Sequence, residues 1–200
     1  MGIAAIGFAG AFAVFSYIAD IAEKVAGAPH AFVPWLLAAA GLGMTIGNVV
    51  GGGAADRSLV GTLLGTFPVY ILALVAMLAS AHSPVGLMVT FFLVNLANAV
   101  LNPPMQTWLI RIAGRSEVLG ASLNHASFNV ANALGAALGG AVIAAGLGYR
   151  APIVIALVLA TLGMAMVVTA LVLLRLRSAR RLAQLEQADI ALMRRQTVDA

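Results

Sequence analysis

Long apolar runs and brief polar breaks alternate along this chain, and no Lys, Arg, Asp or Glu falls inside any of its six long runs. Charges gather instead at Asp20 to Lys24, at Asp56–Arg57, from Arg111 to Glu117, at Arg150, and from Arg175 onward. From Ser58 to Ile110 there is no charge at all, a length that suits two membrane crossings rather than one. A helix needs about 20 apolar residues to cross the hydrocarbon core of a bilayer. An open sheet cannot cross, because each backbone group left unpaired in lipid is costly. The pattern predicts an all-α integral membrane protein with six transmembrane helices, at Gly2–Ala19, Phe32–Ala54, Leu59–Ser80, Pro84–Met105, Val118–Ala145 and Ala151–Leu174. The breaks carry turn chemistry: GAPHAFVP, DRS, SAHSP and GLGYRAP. Pro84 and Pro152 suit the first turn of a helix, where a missing N–H is harmless. Pro103–Pro104 is expected to end or kink the fourth span.

Composition agrees, with 62% hydrophobic residues and only 9% charged. A soluble domain of this size carries roughly a quarter charged residues. With no cysteine there is no disulfide, thiolate-bound zinc or thiol nucleophile, and the redox compartment cannot be read. The basic balance does not point to nucleic acid, because the basic residues sit where a membrane topology places them. The first run lacks a basic leader and ends in FSYIAD rather than a small-residue cleavage site, so it reads as a first crossing and not a removed signal peptide. With a cytoplasmic N-terminus, Arg57, Arg111, Arg115 and six tail arginines fall inside, and Lys24 and Arg150 fall outside. Nine basic residues against two is a strong positive-inside bias, and it puts both termini in the cytoplasm. Residues 1–174 then form the bundle and residues 175–200 a basic cytoplasmic tail. Leu176, Leu182, Leu185 and Leu192 could line one side of a tail helix lying on the anionic leaflet; a solvated stop-transfer tail is the competing reading.

Function must rest on neutral polar groups and glycines. The fourth span carries Asn95, Asn98 and Asn102, and the fifth carries Ser122, His125, Asn129 and Asn132, each set on one helix face. Thr45 and Asn48 lie one turn apart in the second span, and Ser16 and Tyr17 lie near the outer end of the first. Amides facing lipid are costly, so these faces are expected to point inward. For a single Asn the bland reading is interhelical glue, at about 0.6 kcal/mol per bond. Taken together, the two stripes suggest a hydrated substrate cavity lined by Tyr17, Asn48, Asn95, Asn98, Asn102, His125 and Asn129. His125 is the only titratable group well inside a span; a proton-coupling role competes with a neutral histidine bonded across the bundle. Gly41, Gly43, Gly47, Gly51, Gly52 and Gly53 crowd the second span, and Gly135, Gly139 and Gly140 the fifth, which permits close helix approach.

The second span runs through GLGMTIGNVVGGGAADRS and turns at once into the third. That loop resembles the G-x-x-x-D-R signature of the major facilitator superfamily, which recurs between the eighth and ninth helices. GASLNHASFNVANALGAALGG looks like the eleventh helix of the drug-efflux branch, and FSYIA in the first span is similar to a motif of its seventh. The chain to about Leu174 thus resembles the C-terminal six-helix half of a bacterial drug:proton antiporter, close to arabinose-efflux-permease-like members. The resemblance implies half of a twelve-helix fold in the bacterial inner membrane, with the cavity between two halves. It maps a conformational loop motif onto Gly52, Asp56 and Arg57, with Arg57 expected to pair with Glu117 and latch the inner side. Alternatively, Asp56 merely caps the third helix. After Arg57 the family's Gly-Arg-Arg/Lys run is replaced by Ser58-Leu59-Val60, which weakens a full charge relay.

The resemblance implies proton-coupled efflux of a small solute or drug, with the bilayer, that substrate, the proton and either a missing N-terminal half or a second copy as partners. No cofactor or metal is expected. Acidic coupling residues of such antiporters usually lie in the N-terminal half, and no acid inside a span replaces them here; Asp20 is the nearest. The alternative is a vestigial or non-transporting module that assembles with another membrane protein. An enzyme is disfavoured, since there is no HExxH, no aspartate cluster and no cysteine, and the three histidines lie in different segments.

Overall fold

The computed structural model describes the backbone of residues 2–113 and 117–198. Eight helices and one short 3-10 turn follow in order: α1 Gly2–Ser16, α2 Ile18–Lys24, the turn His30–Phe32, α3 Val33–Arg57, α4 Leu59–Ser80, α5 Pro84–Val100, α6 Asn102–Ala113, α7 Glu117–Ala144 and α8 Ala151–Val198. Among the described residues there is no strand. Five helices or helix runs are long and apolar enough to span a membrane, and α1 with α2 makes a sixth if the bent pair counts as one. The all-α membrane architecture is therefore borne out.

Two boundaries differ from the simple reading of the hydrophobic pattern. The first span is not one straight helix: α1 and α2 meet at a 46° bend. The break falls at Tyr17, whose backbone leaves the helical region at φ −116°, ψ 14°. Its N–H bonds the carbonyl of Val14, one residue short of the α-helical partner. The fourth span reaches further than Met105, because α6 restarts at Asn102 after a one-residue interruption at Leu101. Pro103 and Pro104 then occupy the first turn of α6, where no intrahelical donor is required. The same rule fits Pro84 and Pro152, each in the first turn of its helix. Ser83 caps α5 by accepting from the Gly86 N–H at 3.3 Å, and Ser58 caps α4 by accepting from the Gly61 N–H at 3.0 Å.

The chain divides by its internal contacts into Met1–Met164 and Ala165–Ala200. In the first unit the run of α5 and α6 is the most buried spanning element, and α5 is its packed core, with Leu87, Phe91, Val94 and Ala97 buried. The main neighbour of α5 is α3, and α1 pairs chiefly with α7. Both pairs are glycine contacts. Gly43, Gly47 and Gly51, one turn apart on α3, lie under the carbonyls of Phe92, Leu96 and Val100 on α5. A methyl group at Gly43 would sit 2.6 Å from the Phe92 oxygen, so nothing larger than hydrogen fits without separating the helices. Gly41, Gly52 and Gly53 of the same helix face open space, so only half of the glycine cluster packs. On the other pair, Gly135 of α7 meets the backbone of Ala9 and Ala13 on α1. Outward, large apolar side chains such as Val49, Trp35, Leu72 and Leu42 are well exposed. Lipid tails are as apolar as these side chains, so no hydrophobic cost attends their exposure in a bilayer. The second unit carries the rest of α8, which continues through the basic tail to Val198. Of the tail leucines, Leu176 is exposed, and the side chains of Leu182, Leu185 and Leu192 lie outside the described residues.

Candidate functional site

A recess of about 220 Å³ opens among α1, α3, α5, α6 and α7. Four of the amides singled out by helical spacing meet there: Asn48 from α3, Asn95 and Asn98 from α5, and Asn102 at the start of α6. The opposite wall is apolar, with Phe12 and Phe15 from α1, Met44 from α3 and Phe128 from α7. Phe8 stacks on Phe128 with centroids 4.6 Å apart, and Phe12 meets Phe128 edge-on at 6.3 Å. This aromatic cluster fixes α1 against α7 and shapes the recess. Phe15 reaches Phe91 of α5 at 6.0 Å, which ties the same wall to that helix.

The four amides are not equivalent. Asn95 is buried and donates to the Phe91 carbonyl at 2.8 Å, a bond within its own helix. Asn48 donates to the Met44 carbonyl at 2.9 Å and accepts from the Asn102 amide at 3.3 Å, which bridges α3 and α6. The Oδ1 atoms of Asn98 and Asn102 are buried and have no protein partner. A buried acceptor left unmade costs about 1–3 kcal/mol. Two such acceptors beside an aromatic wall form a site that water or a ligand donor completes. At about 220 Å³ the recess is smaller than the roughly 300–1,000 Å³ of typical small-molecule sites. It has an apolar wall on one side and amides on the other. None of the residues on the wall carries a charge.

Three residues expected on the lining sit elsewhere. Tyr17 is half-buried and donates its hydroxyl to the Ala136 carbonyl at 2.9 Å. Its ring lies over Gly139 and Gly140, where a methyl group at Gly139 would come within 2.7 Å of it. Tyr17 thus fastens the bend in the first span to α7. His125 and Asn129 are exposed on the surface of this chain, as are Ser122 and Asn132 of the same stripe. The buried polar residues of α7 are Asn124 and Ser127, which spacing alone did not single out. Ser127 donates to the Leu123 carbonyl at 2.7 Å, whereas the Asn124 Oδ1 has no partner. A polar pair three residues apart was there to be read, but it lies beside the longer stripe and was overshadowed by it. The lining phenylalanines carried no signal, since an apolar side chain in a membrane span looks the same whether it meets lipid or a ligand.

At the α3–α4 turn, Asp56 and Arg57 are exposed in the last turn of α3, and Gly52 has open space about it. Neither Asp56 nor Arg57 makes an ion pair among the described residues. Asp56 does not cap α4; Ser58 does. The expected partner Glu117 has its side chain outside the described residues. At the other end of the bundle, Lys24 bonds Asp20 at 2.6 Å and the Tyr149 hydroxyl at 2.7 Å, lying 4.1 Å from that ring's centre. Glu23 bonds His30.

A profile of the Major Facilitator Superfamily matches residues 1–197. The inner membrane transport protein YdhP of Escherichia coli K12 is 37% identical over 144 residues, covering 72% of this chain and 37% of that protein. An uncharacterised MFS-type transporter of Bacillus subtilis, YtbD, is 30% identical over 144 residues, covering 70% of this chain and 36% of its own length. The chain spans little more than a third of these relatives. No solved structure matches it. A polytopic helical bundle with glycine-packed spans, matched by the family profile over nearly its whole length, belongs to the Major Facilitator Superfamily.

Proposed function

We propose that this chain is the C-terminal six-helix half of a proton-coupled secondary transporter of the bacterial inner membrane that exports a small solute or drug. The observation that carries this reading is the exposed stripe Ser122, His125, Asn129 and Asn132 on α7. Polar side chains on a spanning helix are costly against lipid and are found facing a bundle interior or a wet cavity. Here that interior is not within the chain, so the stripe calls for a second six-helix body across an aqueous cleft. The recess beside Asn98 opens on the same bundle and supplies an apolar wall with two acceptors in want of donors. The relatives' description as transport proteins accords with this, as does the match of each over little more than a third of a longer chain. On this reading both termini are cytoplasmic, following the arginine bias. His125 is the proton-carrying candidate within the stripe, since it is the only histidine well inside a span.

The test is proton-gradient-dependent efflux in inverted vesicles, with this chain alone and with a co-expressed N-terminal half. Transport only in the pair is expected. Transport by neither, with both halves present and folded in the membrane, would contradict the proposal and favour a non-transporting module. Replacement of His125 by glutamine is expected to uncouple transport from the pH gradient while leaving ligand binding in place. Full coupling in that variant would remove the histidine from the proton path.

A further inference from the structure

A second concavity lies at the opposite side of the first unit from the amide recess, on the bundle end that holds the α7–α8 loop. It is an apolar groove of about 510 Å³ walled by Leu78 of α4, Val142 of α7, Leu147 of the α7–α8 loop, and Ala151, Val154 and Ile155 of α8. Leu147 and Val154 are exposed, so the groove opens sideways from the bundle. Its single charged lining residue is Arg150. The Arg150 side chain does not simply extend into water: Nη2 donates to the Leu78 carbonyl in the last turn of α4, at 2.8 Å. That bond satisfies one of the carbonyls that a helix end leaves unpaired. It also brings the guanidinium to the wall of the groove and engages only one of its five donors.

No carboxylate pairs with Arg150 among the described residues. The other cation of this end, Lys24, is paired with Asp20, and the nearby Glu23 is taken up by His30. A guanidinium without a carboxylate partner among the described residues therefore stands over a groove of aliphatic side chains, immediately before the Ala151–Leu174 span. Apolar depth with a cation at the interface is complementary to one kind of molecule: a long hydrocarbon chain ending in a phosphate. Guanidinium groups match phosphate oxygens with paired hydrogen bonds.

We propose that this groove is a phospholipid-binding site, in which an acyl chain lies along Val142, Val154 and Ile155 and the headgroup phosphate is held by Arg150. The site is separate from the amide recess and does not depend on the transport reading. Lipid there would bridge α4, α7 and α8 at one end of the bundle, so occupancy would oppose separation of those helices.

The test is native mass spectrometry of the full chain in its membrane assembly, extracted in detergent and supplied with phosphatidylglycerol. A tightly held lipid is expected on the unmodified protein. Arg150→Gln is expected to lower the bound fraction about ten-fold, the scale of one charge-assisted phosphate contact. Val154→Trp, which fills the groove and leaves Arg150 untouched, should lower it as strongly, whereas Leu72→Trp on the exposed face of α4 should not. Circular dichroism of each variant checks folding, and Val154→Trp decides the question if Arg150→Gln does not fold. Undiminished lipid on Val154→Trp overturns the proposal. Displacement of the lipid by inorganic phosphate alone would show an anion site without a lipid groove, and a second copy of the chain covering the groove would equally overturn it.

Discussion

Two helix faces of the same chemistry have opposite fates in this molecule. On α5 and the start of α6, Asn95, Asn98 and Asn102 turn inward and meet Asn48 in a recess. On α7, Ser122, His125, Asn129 and Asn132 repeat nearly the same spacing and look outward. The difference is made by what lies opposite each helix. Helix α5 is held against α3 by Gly43, Gly47 and Gly51, which let the backbones approach until Asn48 reaches Asn102. Helix α7 is held against α1 by Gly135 and Gly139 and by the Phe128 ring against Phe8 and Phe12, and Asn124 and Ser127 are its buried polar residues. Helix α7 has thus spent its small residues on one neighbour, and its amide stripe stays exposed on the surface of this chain. Periodicity says which residues share a face; only packing says what that face meets.

The comparison breaks most completely if the α3–α5 contact is spread. Gly47→Leu places a side chain against the Leu96 carbonyl and Ala99, and is expected to cost about 3 kcal/mol by overpacking. Loss of folded protein from the membrane, read by detergent-extracted abundance, checks this; Gly53→Leu, which faces open space, should be tolerated.

A sharper contrast comes from removing one amide from each face. Asn98→Leu deletes a buried acceptor without a protein partner, so the chain is expected to be no less stable. Ligand affinity should nonetheless fall about ten-fold, the weight of one lost hydrogen bond of roughly 1.4 kcal/mol. Asn129→Leu is expected to leave this chain's own stability unchanged and to impair transport only in the assembled protein. Thermal unfolding in detergent and efflux, measured on both variants, separate the two faces.

Smaller effects test the fastenings. Tyr17→Phe removes the bond to the Ala136 carbonyl and should lower stability by about 1 kcal/mol, read as a lower unfolding midpoint. The Asn48–Asn102 bridge is longer and exposed, and a double-mutant cycle to alanine should give a coupling near the membrane average of about 0.6 kcal/mol.

Much of the architecture could be read from the chain because lipid imposes so simple a rule. Charge-free length located five spans and the bent α1–α2 pair that makes a sixth if it counts as one, and the turn residues at Ser58 and Ser83 marked the starts of α4 and α5. The prolines at 103 and 104 announced a break, which the structure places at Leu101 with the helix resuming beneath them. The bend at Tyr17 was not visible, since it arises from a hydroxyl reaching a carbonyl 119 residues away and a ring seated on two glycines. The site was half visible for the same reason. Asn48, Asn95, Asn98 and Asn102 share a recess because glycines on a neighbouring helix permit it, whereas Tyr17 was claimed by α7. The aromatic wall of Phe12, Phe15 and Phe128 left no trace in a sequence where phenylalanine is also what lipid selects.

The central claim is that the α7 stripe faces a water-filled interior shared with another six-helix body. The chain has no cysteine, so single cysteines can be introduced into it directly. In the assembled transporter, Asn129→Cys and Asn132→Cys should react with a membrane-impermeant thiol reagent, and Leu72→Cys, on the lipid-facing side of α4, should not. Reaction at both stripe positions with protection at Leu72→Cys is the expected result. Unreactive stripe positions whose fluorescent labels are quenched by lipid-borne quenchers would contradict the claim.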